Sequence, residues 1–94
     1  RVYEDDKMIV IRDVAPAAPV HVLMIPKAHT ENIITAEPEL LLYMFGKVKE
    51  LAEKLGVNEK GFRIVANTGD DGGQTVKHLH IHLLGGKALG WPPC

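Results

Sequence analysis

The stretch from His78 to Leu83 constrains the fold more than any other feature, because two kinds of side chain alternate strictly along it. Histidine stands at positions 78, 80 and 82, and leucine or isoleucine at positions 79, 81 and 83. A period of two is typical of a β-strand, in which successive side chains point to opposite faces. We therefore expect a last strand over residues 76–84, with its apolar face in a core. The three imidazoles lie on the other face, about 6.6 Å apart at a rise of about 3.3 Å per residue.

Three other short runs also predict strands. Met8–Ile11 and Val20–Ile25 are rich in apolar and β-branched residues, and the segment 13–19 between them contains two prolines, which interrupt regular structure. Phe62–Asn67 alternates well enough for a further strand. The loop 68–74 that follows it contains three glycines and two aspartates, a composition typical of a tight exposed turn.

One helical pattern occupies the middle of the chain. Apolar residues recur there with the period of an amphipathic helix, at Leu41, Met44, Phe45, Val48, Leu51, Ala52 and Leu55. Pro38 suits the first turn, and Gly56 suits the left-handed residue that often follows a last turn. We expect a single continuous helix between them, with the apolar stripe buried.

The order of these elements predicts the fold class. Two strands, a helix and two more strands joined by short loops indicate an α+β fold, because short connections join antiparallel neighbours rather than parallel crossovers. We expect an antiparallel meander sheet of about five strands with one long helix packed on it. The 94 residues fit a single domain, 1–94.

Composition excludes several classes of function. Lys and Arg total 11 against 12 Asp and Glu, so no basic field attracts nucleic acid or an anionic membrane. The one cysteine is the last residue, which leaves no internal disulfide and no cysteine-based zinc site. No apolar run is long enough to span a bilayer, and the N-terminal residues lack the pattern of a signal peptide. A cytoplasmic protein is expected.

The aligned histidines carry the chemistry. A single strand histidine is most often a polar residue on a solvated face, but three in register would repel one another if all were charged. Zinc is one alternative, since two imidazoles of a His-x-His pair can reach the same ion. The outer pair, His78 and His82, is too widely spaced to join it, so His21 or His29 would have to serve as a third ligand, and no nearby carboxylate or thiolate completes the set.

The loop before the strand favours chemistry on phosphate instead. The pair Gly72–Gly73 can bring backbone N–H groups to an anion, and Gln74 and Thr75 add side-chain donors beside His80. Phosphoryl transfer requires a nucleophile, a proton for the leaving group and donors for the equatorial oxygens. Alternating histidines beside such a loop supply all three. Taken alone, the two glycines are more simply read as a hairpin turn.

The motif His-Leu-His-Ile-His-Leu-Leu at 78–84 resembles the pattern that names the histidine triad superfamily. The segments 13–29 and 64–75, the helix and Trp91–Pro93 are similar to its Hint branch, the histidine triad nucleotide-binding proteins. This resemblance implies a homodimer with a continuous sheet that binds purine nucleoside monophosphates. It implies hydrolysis of nucleoside phosphoramidates, including adenylated lysine or other amines, through a covalent nucleotidyl-histidine, with no metal and no cofactor.

The resemblance also implies roles for individual residues. His80 is the nucleophile, His82 contacts phosphate oxygens and assists the leaving group, His78 orients His80 through its backbone carbonyl, and His21 is a supporting fourth histidine. The implied nucleotide-binding residues are Asp13 for the ribose, Asn67, Gly73, Gln74 and Thr75 for the phosphate, and Ile11 and Val14 for the base.

Purely structural interpretations compete with several of these roles. Asp13 can simply begin a proline-rich turn, Asn67 can end a strand, and His21 can be a hydrogen-bonded polar residue in a half-buried strand. His29 has no expected role beyond structure.

Three departures from the Hint pattern bear on specificity. Hint proteins carry a helix before the segment that matches Val2–Asp6, and these 94 residues begin without it, so a shallower base site is expected. Thr75 stands where serine is usual, and Gly-Gln-Thr-Val-Lys-His resembles the Fhit branch of dinucleoside polyphosphate hydrolases. Leu89 and Gly90 differ from the usual residues before the tryptophan. The alternatives are therefore an Fhit-like hydrolase, or a non-catalytic nucleotide- or zinc-binding module.

Overall fold

The computed structural model describes residues 1–93. They form seven elements in this order: β1 (Tyr3–Glu4), β2 (Met8–Arg12), β3 (Val20–Pro26), α1 (Pro38–Gly46), α2 (Val48–Leu55), β4 (Phe62–Val65) and β5 (Ile81–Gly85). The strands make one antiparallel sheet in the order β1-β2-β3-β5-β4. The predicted α+β class and the five-stranded antiparallel sheet are confirmed, but the sheet is not a simple meander, because β5 lies between β3 and β4. Only β1, at two residues, is too short to leave a pattern in the sequence.

The core lies between the sheet and the helices. Alternate residues of the three central strands are fully buried there, namely Met8, Val10, Val22, Met24, Ile81 and Leu83. Met44 of α1 and Leu51 of α2 pack against them. Because strand side chains alternate, the other face of the same strands presents His21, Leu23 and His82 away from the helices. The fold thus places the histidines on the face that the helices leave open.

The last strand begins five residues later than predicted. The β3–β5 ladder runs from Val20↔Gly85 to Met24↔Ile81, and β3 ends at Pro26, which has no N–H to continue a ladder. Residues 76–80 therefore lie outside the sheet. The backbone N–H of Leu79 donates instead to the carbonyl oxygen of Thr30 at 2.7 Å, so a loop takes the place of a neighbouring strand.

The predicted helix begins at Pro38 and is capped at Gly56, which has a left-handed φ of 74°. It is not continuous, since α1 ends at Gly46 and α2 starts at Val48. Glycine is a poor helix former, which explains a break at this point. Lys47, at the bend, holds its ammonium 5.6 Å from the ring centroid of Tyr3.

One residue of the predicted apolar stripe is exposed. Phe45 is 47% exposed, whereas its neighbour Met44 is fully buried. Adjacent helical residues point about 100° apart, so α1 can direct only one of the two toward the sheet. Within residues 1–93, no helix combines the length and the apolar character needed to cross a membrane.

Candidate active site

His80 is held in a defined protonation state by the backbone beside it. Its Nδ1 atom lies 2.8 Å from the carbonyl oxygen of His78. A carbonyl oxygen only accepts, so Nδ1 carries the proton and donates it to this oxygen. In a neutral ring the other nitrogen, Nε2, then has a free lone pair. The ring is half-buried and can therefore be reached by a ligand.

His82 and His21 form a second link, across two strands. The Nε2 atom of His21 lies 2.9 Å from Nδ1 of His82, and Nδ1 of His21 accepts the backbone N–H of Ala17 at 3.0 Å. Since Nδ1 of His21 accepts, the proton of a neutral ring sits on Nε2 and is donated to His82. His82 is left with its Nε2–H as a donor. Its ring centroid lies 5.2 Å from that of His80.

Asp13 extends this link toward the open face. Its Oδ2 atom is 3.4 Å from Nε2 of His21, and its Oδ1 accepts the backbone N–H of Ala15 at 2.8 Å. The backbone N–H of Asp13 donates to the carbonyl oxygen of His21, which continues the pairing of β2 with β3. The turn interpretation of Asp13 is therefore correct for one oxygen, while the other oxygen faces the histidines.

Burial lowers the pKa of His82 below its ordinary value. The neighbouring imidazoles of His80 and His21 lower that pKa further, and the Asp13 carboxylate opposes them. Removing an ionisable ring from water penalises its charged form, and a second positive charge nearby does the same. His82 is consequently a neutral donor near pH 7, as the hydrogen bond from His21 also requires.

His78 and His29 form a third link, which the sequence did not suggest. The Nε2 atom of His78 lies 2.9 Å from the carbonyl oxygen of Pro26 and so donates to it. Its Nδ1 atom lies 3.2 Å from Nδ1 of His29. In a neutral His78 that nitrogen accepts, and His29 donates. The two rings meet edge to face with centroids 5.1 Å apart.

Gln74 holds the loop rather than offering its amide to a ligand. Its Nε2 donates to the carbonyl oxygens of Glu31 and Val76, and its Oε1 accepts from Gly69 N and from Nδ2 of Asn32. The side chain is buried. All four hydrogen-bonding positions of this amide are used inside the protein. The predicted direct contact between Gln74 and phosphate is therefore not what the structure shows.

Comparison with known proteins decides the family. The family model described as "HIT domain" matches residues 1–89. The chain belongs to the HIT domain family. An uncharacterised HIT-like protein of Synechococcus elongatus is 56% identical over 95 residues, which cover 98% of this chain and 82% of the relative.

Solved structures agree with this placement. A HIT family hydrolase from Legionella pneumophila superposes with a TM-score of 0.93 at 42% identity, covering 98% of this chain and 85% of that one. A HIT family hydrolase from Clostridium thermocellum gives a TM-score of 0.87 at 47% identity, covering 94% of this chain and 79% of the other. The chain thus has the fold of proteins named as hydrolases.

Glycines shape the loop of this HIT domain that precedes the histidines. Gly73 has a left-handed φ of 77°, and its N–H donates to the carbonyl oxygen of Asp70 at 3.0 Å. A Cβ atom at Gly72 would collide with the backbone of Thr68. The N–H of Gly73 is thus turned into the loop, which corrects its expected role as a phosphate donor. Thr75, in contrast, is exposed.

Three residues predicted to contact the nucleotide remain, namely Asn67, Ile11 and Val14. Val65, the last residue of β4, pairs with His82, and Asn67 follows two residues beyond the end of this ladder as a half-buried residue. Ile11 lies in β2, paired with Leu23 on the open face of the sheet. Val14 is fully exposed, and its side chain is covered by nothing in the structure.

A shallow apolar hollow adjoins His80 and was not anticipated. Leu23, Ile25 and Val76 line it together with the rings of His78 and His80, and its volume is about 330 Å³. Leu23 and Ile25 alternate with core residues of β3, a pattern that also fits an ordinary two-sided strand. The hollow places apolar surface beside the ring of His80.

The HIT domain also groups three residues able to bind a metal. One ligand atom each from Asp13, His21 and His82 lies within 4.8 Å of the others. The expectation that no carboxylate stands near these histidines is therefore wrong, because β2 and β3 bring Asp13 beside His21. The same atoms are joined by the proton on Nε2 of His21, so an ion could bind His21 there only by displacing that proton.

Proposed function

We propose that this HIT domain hydrolyses the P–N bond of purine nucleoside phosphoramidates, including adenylated lysine or other amines, through a nucleotide attached to His80. The observation that carries the proposal is the hydrogen bond from Nδ1 of His80 to the His78 carbonyl, which leaves Nε2 as a neutral nucleophile. The names of the structural relatives as hydrolases support a hydrolytic reaction. The Hint resemblance supports the P–N bond.

The first step exchanges one bond for another. The Nε2 lone pair of His80 attacks phosphorus, and the P–N bond to the leaving amine breaks with its electron pair going to nitrogen. That nitrogen takes up a proton from solvent, while the Nε2–H of His82 donates a hydrogen bond to a phosphate oxygen or to the departing nitrogen. The Nε2 atom of His21, 2.9 Å from Nδ1 of His82, keeps its proton and so holds His82 in the neutral tautomer that presents Nε2–H.

The second step restores the enzyme. Water attacks the nucleotidyl group, the P–Nε2 bond breaks, and a nucleoside monophosphate leaves while one proton of the attacking water is released to solvent. The imidazolium-like character of His80 in the adduct makes it a good leaving group, because Nδ1 keeps its proton on the His78 carbonyl throughout. The product carries the oxygen of water on phosphorus. No metal or cofactor enters the proposed reaction.

The proposed substrate contacts surround this centre. Thr75 and Asn67 hold the phosphate, with the loop shape set by Gly73 and Gln74. Asp13 accepts from the ribose hydroxyls through Oδ2. Ile11 and Val14 flank the base.

We also propose a homodimer. The strand β4 lies at the edge of the sheet, and an edge strand can pair with a second copy to give the continuous sheet expected from the Hint resemblance. Leu42 and Phe45 of α1 are 76% and 47% exposed, which gives such an interface apolar surface. The proposal keeps the cytoplasmic setting expected from the sequence.

A second enzymatic candidate is the Fhit-like cleavage of dinucleoside polyphosphates, which the segment Gly73–His78 favours because it resembles that branch. The two are separated by offering adenosine phosphoramidate and diadenosine triphosphate side by side at equal concentration. Faster cleavage of the phosphoramidate supports the proposal. Faster cleavage of diadenosine triphosphate overturns it, and nucleotide binding without cleavage of either would leave a nucleotide-binding module.

A further inference from the structure

The part of the histidine motif that orients the nucleophile lies outside the sheet. Residues 76–80 precede β5, and their backbone is supported by the loop after β3. Three contacts join the two segments: Leu79 N–H to Thr30 O at 2.7 Å, His78 Nε2 to Pro26 O at 2.9 Å, and His29 Nδ1 to His78 Nδ1 at 3.2 Å. Two of these three run through the ring of His78.

The ring of His78 is thereby fixed from both of its nitrogens. Nε2–H is committed to the Pro26 carbonyl, so Nδ1 must accept, and His29 is the donor that meets it. The backbone carbonyl of the same residue receives the Nδ1–H of His80. A continuous series of hydrogen bonds therefore runs from the ring of His29, through residue 78, to the nucleophile.

We propose that His29 is a positioning residue for His80. By holding the ring of His78, it fixes the carbonyl that keeps the His80 proton on Nδ1 and the lone pair on Nε2. Its effect on catalysis rests on the proposed function, whereas its effect on the His80 proton does not.

The loss of this support has a specific chemical consequence. An imidazole whose Nδ1–H has no fixed acceptor exchanges between two neutral tautomers, and the tautomer with the proton on Nε2 cannot attack phosphorus. Loosening residue 78 should therefore lower the fraction of competent His80 without removing any group that touches substrate. Such a change lowers kcat and leaves KM close to its original value.

If His29 had a purely structural role, its removal would have different effects. Its ring is accessible, so removing it would change the free energy of unfolding little and the state of His80 not at all. The tautomer of His80 therefore distinguishes the two roles. It is read from the ¹⁵N chemical shifts and long-range ¹H–¹⁵N couplings of the imidazole nitrogens in uniformly labelled protein.

The test compares three variants with the wild-type chain. His29→Ala removes the donor. His29→Asn keeps one, because the amide nitrogen of asparagine occupies nearly the place of Nδ1. Lys77→Ala is the matched control: it alters an exposed residue beside His78 whose ammonium lies 3.8 Å from a Glu31 carboxylate oxygen. Each protein is measured by NMR without ligand and by steady-state hydrolysis of adenosine phosphoramidate.

We expect His29→Ala to move His80 from the Nδ1–H form toward a tautomer mixture and to lower kcat about fivefold to tenfold, the effect of one neutral hydrogen bond. KM should stay within about twofold. His29→Asn should restore both readouts, and Lys77→Ala should match wild type. An unchanged His80 tautomer in His29→Ala overturns the inference, as does an unchanged kcat or failure of His29→Asn to restore it. Absence of turnover in wild type would instead overturn the proposed function and leave the NMR comparison to decide.

Discussion

The Nε2 atom of His21 lies 2.9 Å from Nδ1 of His82, and this contact joins β3 to β5 across the open face of the sheet. Its direction follows from the backbone N–H of Ala17, which occupies the other ring nitrogen of His21. The pair therefore holds one proton between two buried or half-buried rings and directs the remaining N–H of His82 outward. A residue 61 positions away in the chain thus decides which nitrogen of His82 faces a ligand.

Replacing His21 should weaken both stability and catalysis. His21→Ala removes a buried ring together with its hydrogen bonds to Ala17 and His82, which should cost about 1–3 kcal/mol of unfolding free energy. It should also lower kcat about tenfold, since His82 loses the donor that fixes its tautomer. Urea denaturation and steady-state kinetics measure the two effects. A variant with wild-type kcat would contradict a catalytic role for the hydrogen bond from His21 to His82.

Stability should depend on pH through His82. Its pKa is lowered in the folded protein, chiefly by burial, whereas the pKa of an unfolded histidine is about 6.5. Below that pH the unfolded chain binds the extra proton and the folded one does not, so the free energy of unfolding falls as the pH drops and levels off below the folded pKa. Denaturation midpoints between pH 5 and pH 8 measure this, and His82→Gln should flatten the curve. An equal slope in that variant would contradict the assignment.

Substitution of the neighbouring residues Gln74 and Thr75 should affect different properties, stability for Gln74 and nucleotide binding for Thr75. Gln74→Ala removes a buried amide with its four hydrogen bonds, leaves the buried Asn32 amide without its acceptor, and should cost about 1–3 kcal/mol of unfolding free energy. Thr75→Ala changes an exposed side chain and should stay within about 0.5 kcal/mol while weakening nucleotide binding. Thermal denaturation and titration with adenosine monophosphate separate the two. The same outcome for both variants would contradict the division between loop support and phosphate contact.

Substitution on α1 should dissociate the proposed dimer. Leu42→Glu places a charge on an exposed apolar surface that a second copy would bury, and burial of an unpaired charge is costly. Analytical ultracentrifugation should then show monomer where wild type shows dimer. Lys49→Glu, also exposed but on α2, is the control and should leave the dimer intact. A wild-type monomer would contradict the proposed assembly.

Chelation should leave hydrolysis unchanged, because the proposed steps use only imidazole nitrogens and water. Treatment with EDTA followed by buffer exchange is compared with untreated protein and with protein given added zinc. The cluster of Asp13, His21 and His82 predicts that added zinc inhibits, since an ion there displaces the proton that His21 donates to His82. Loss of activity on chelation and its recovery with zinc would contradict the proposed chemistry.

Local patterns predicted the parts of the fold that depend on local chemistry. The period of two from residue 78 to residue 83 identified the buried face of the last strand, and Leu79, Ile81 and Leu83 are at most 2% exposed. Pro38 and Gly56 marked the helix ends correctly. The break near Gly46 was missed, because a glycine within a helical pattern usually lowers helix stability without ending the helix.

Contacts between distant parts of the chain could not be predicted in this way. His29 meets His78 over a separation of 49 residues, and the inward turn of the Gln74 amide depends on Asn32, 42 residues before it. Both contacts come from the loop after β3 folding back along residues 74–80. That loop has no periodic pattern, so its course is set by tertiary packing rather than by propensity. The contact between Asp13 and His21 could not be predicted either, because it depends on the pairing of β2 with β3.

The nucleotide attached to His80 is the most direct test of the central claim. The wild-type protein is mixed with adenosine phosphoramidate, quenched within milliseconds, and its intact mass measured, with His80→Ala treated identically. We predict a mass increase of one adenylyl group in wild type, assigned by peptide fragmentation to His80 and absent from the variant. Turnover without an adduct on His80, or the same adduct in His80→Ala, would contradict the account.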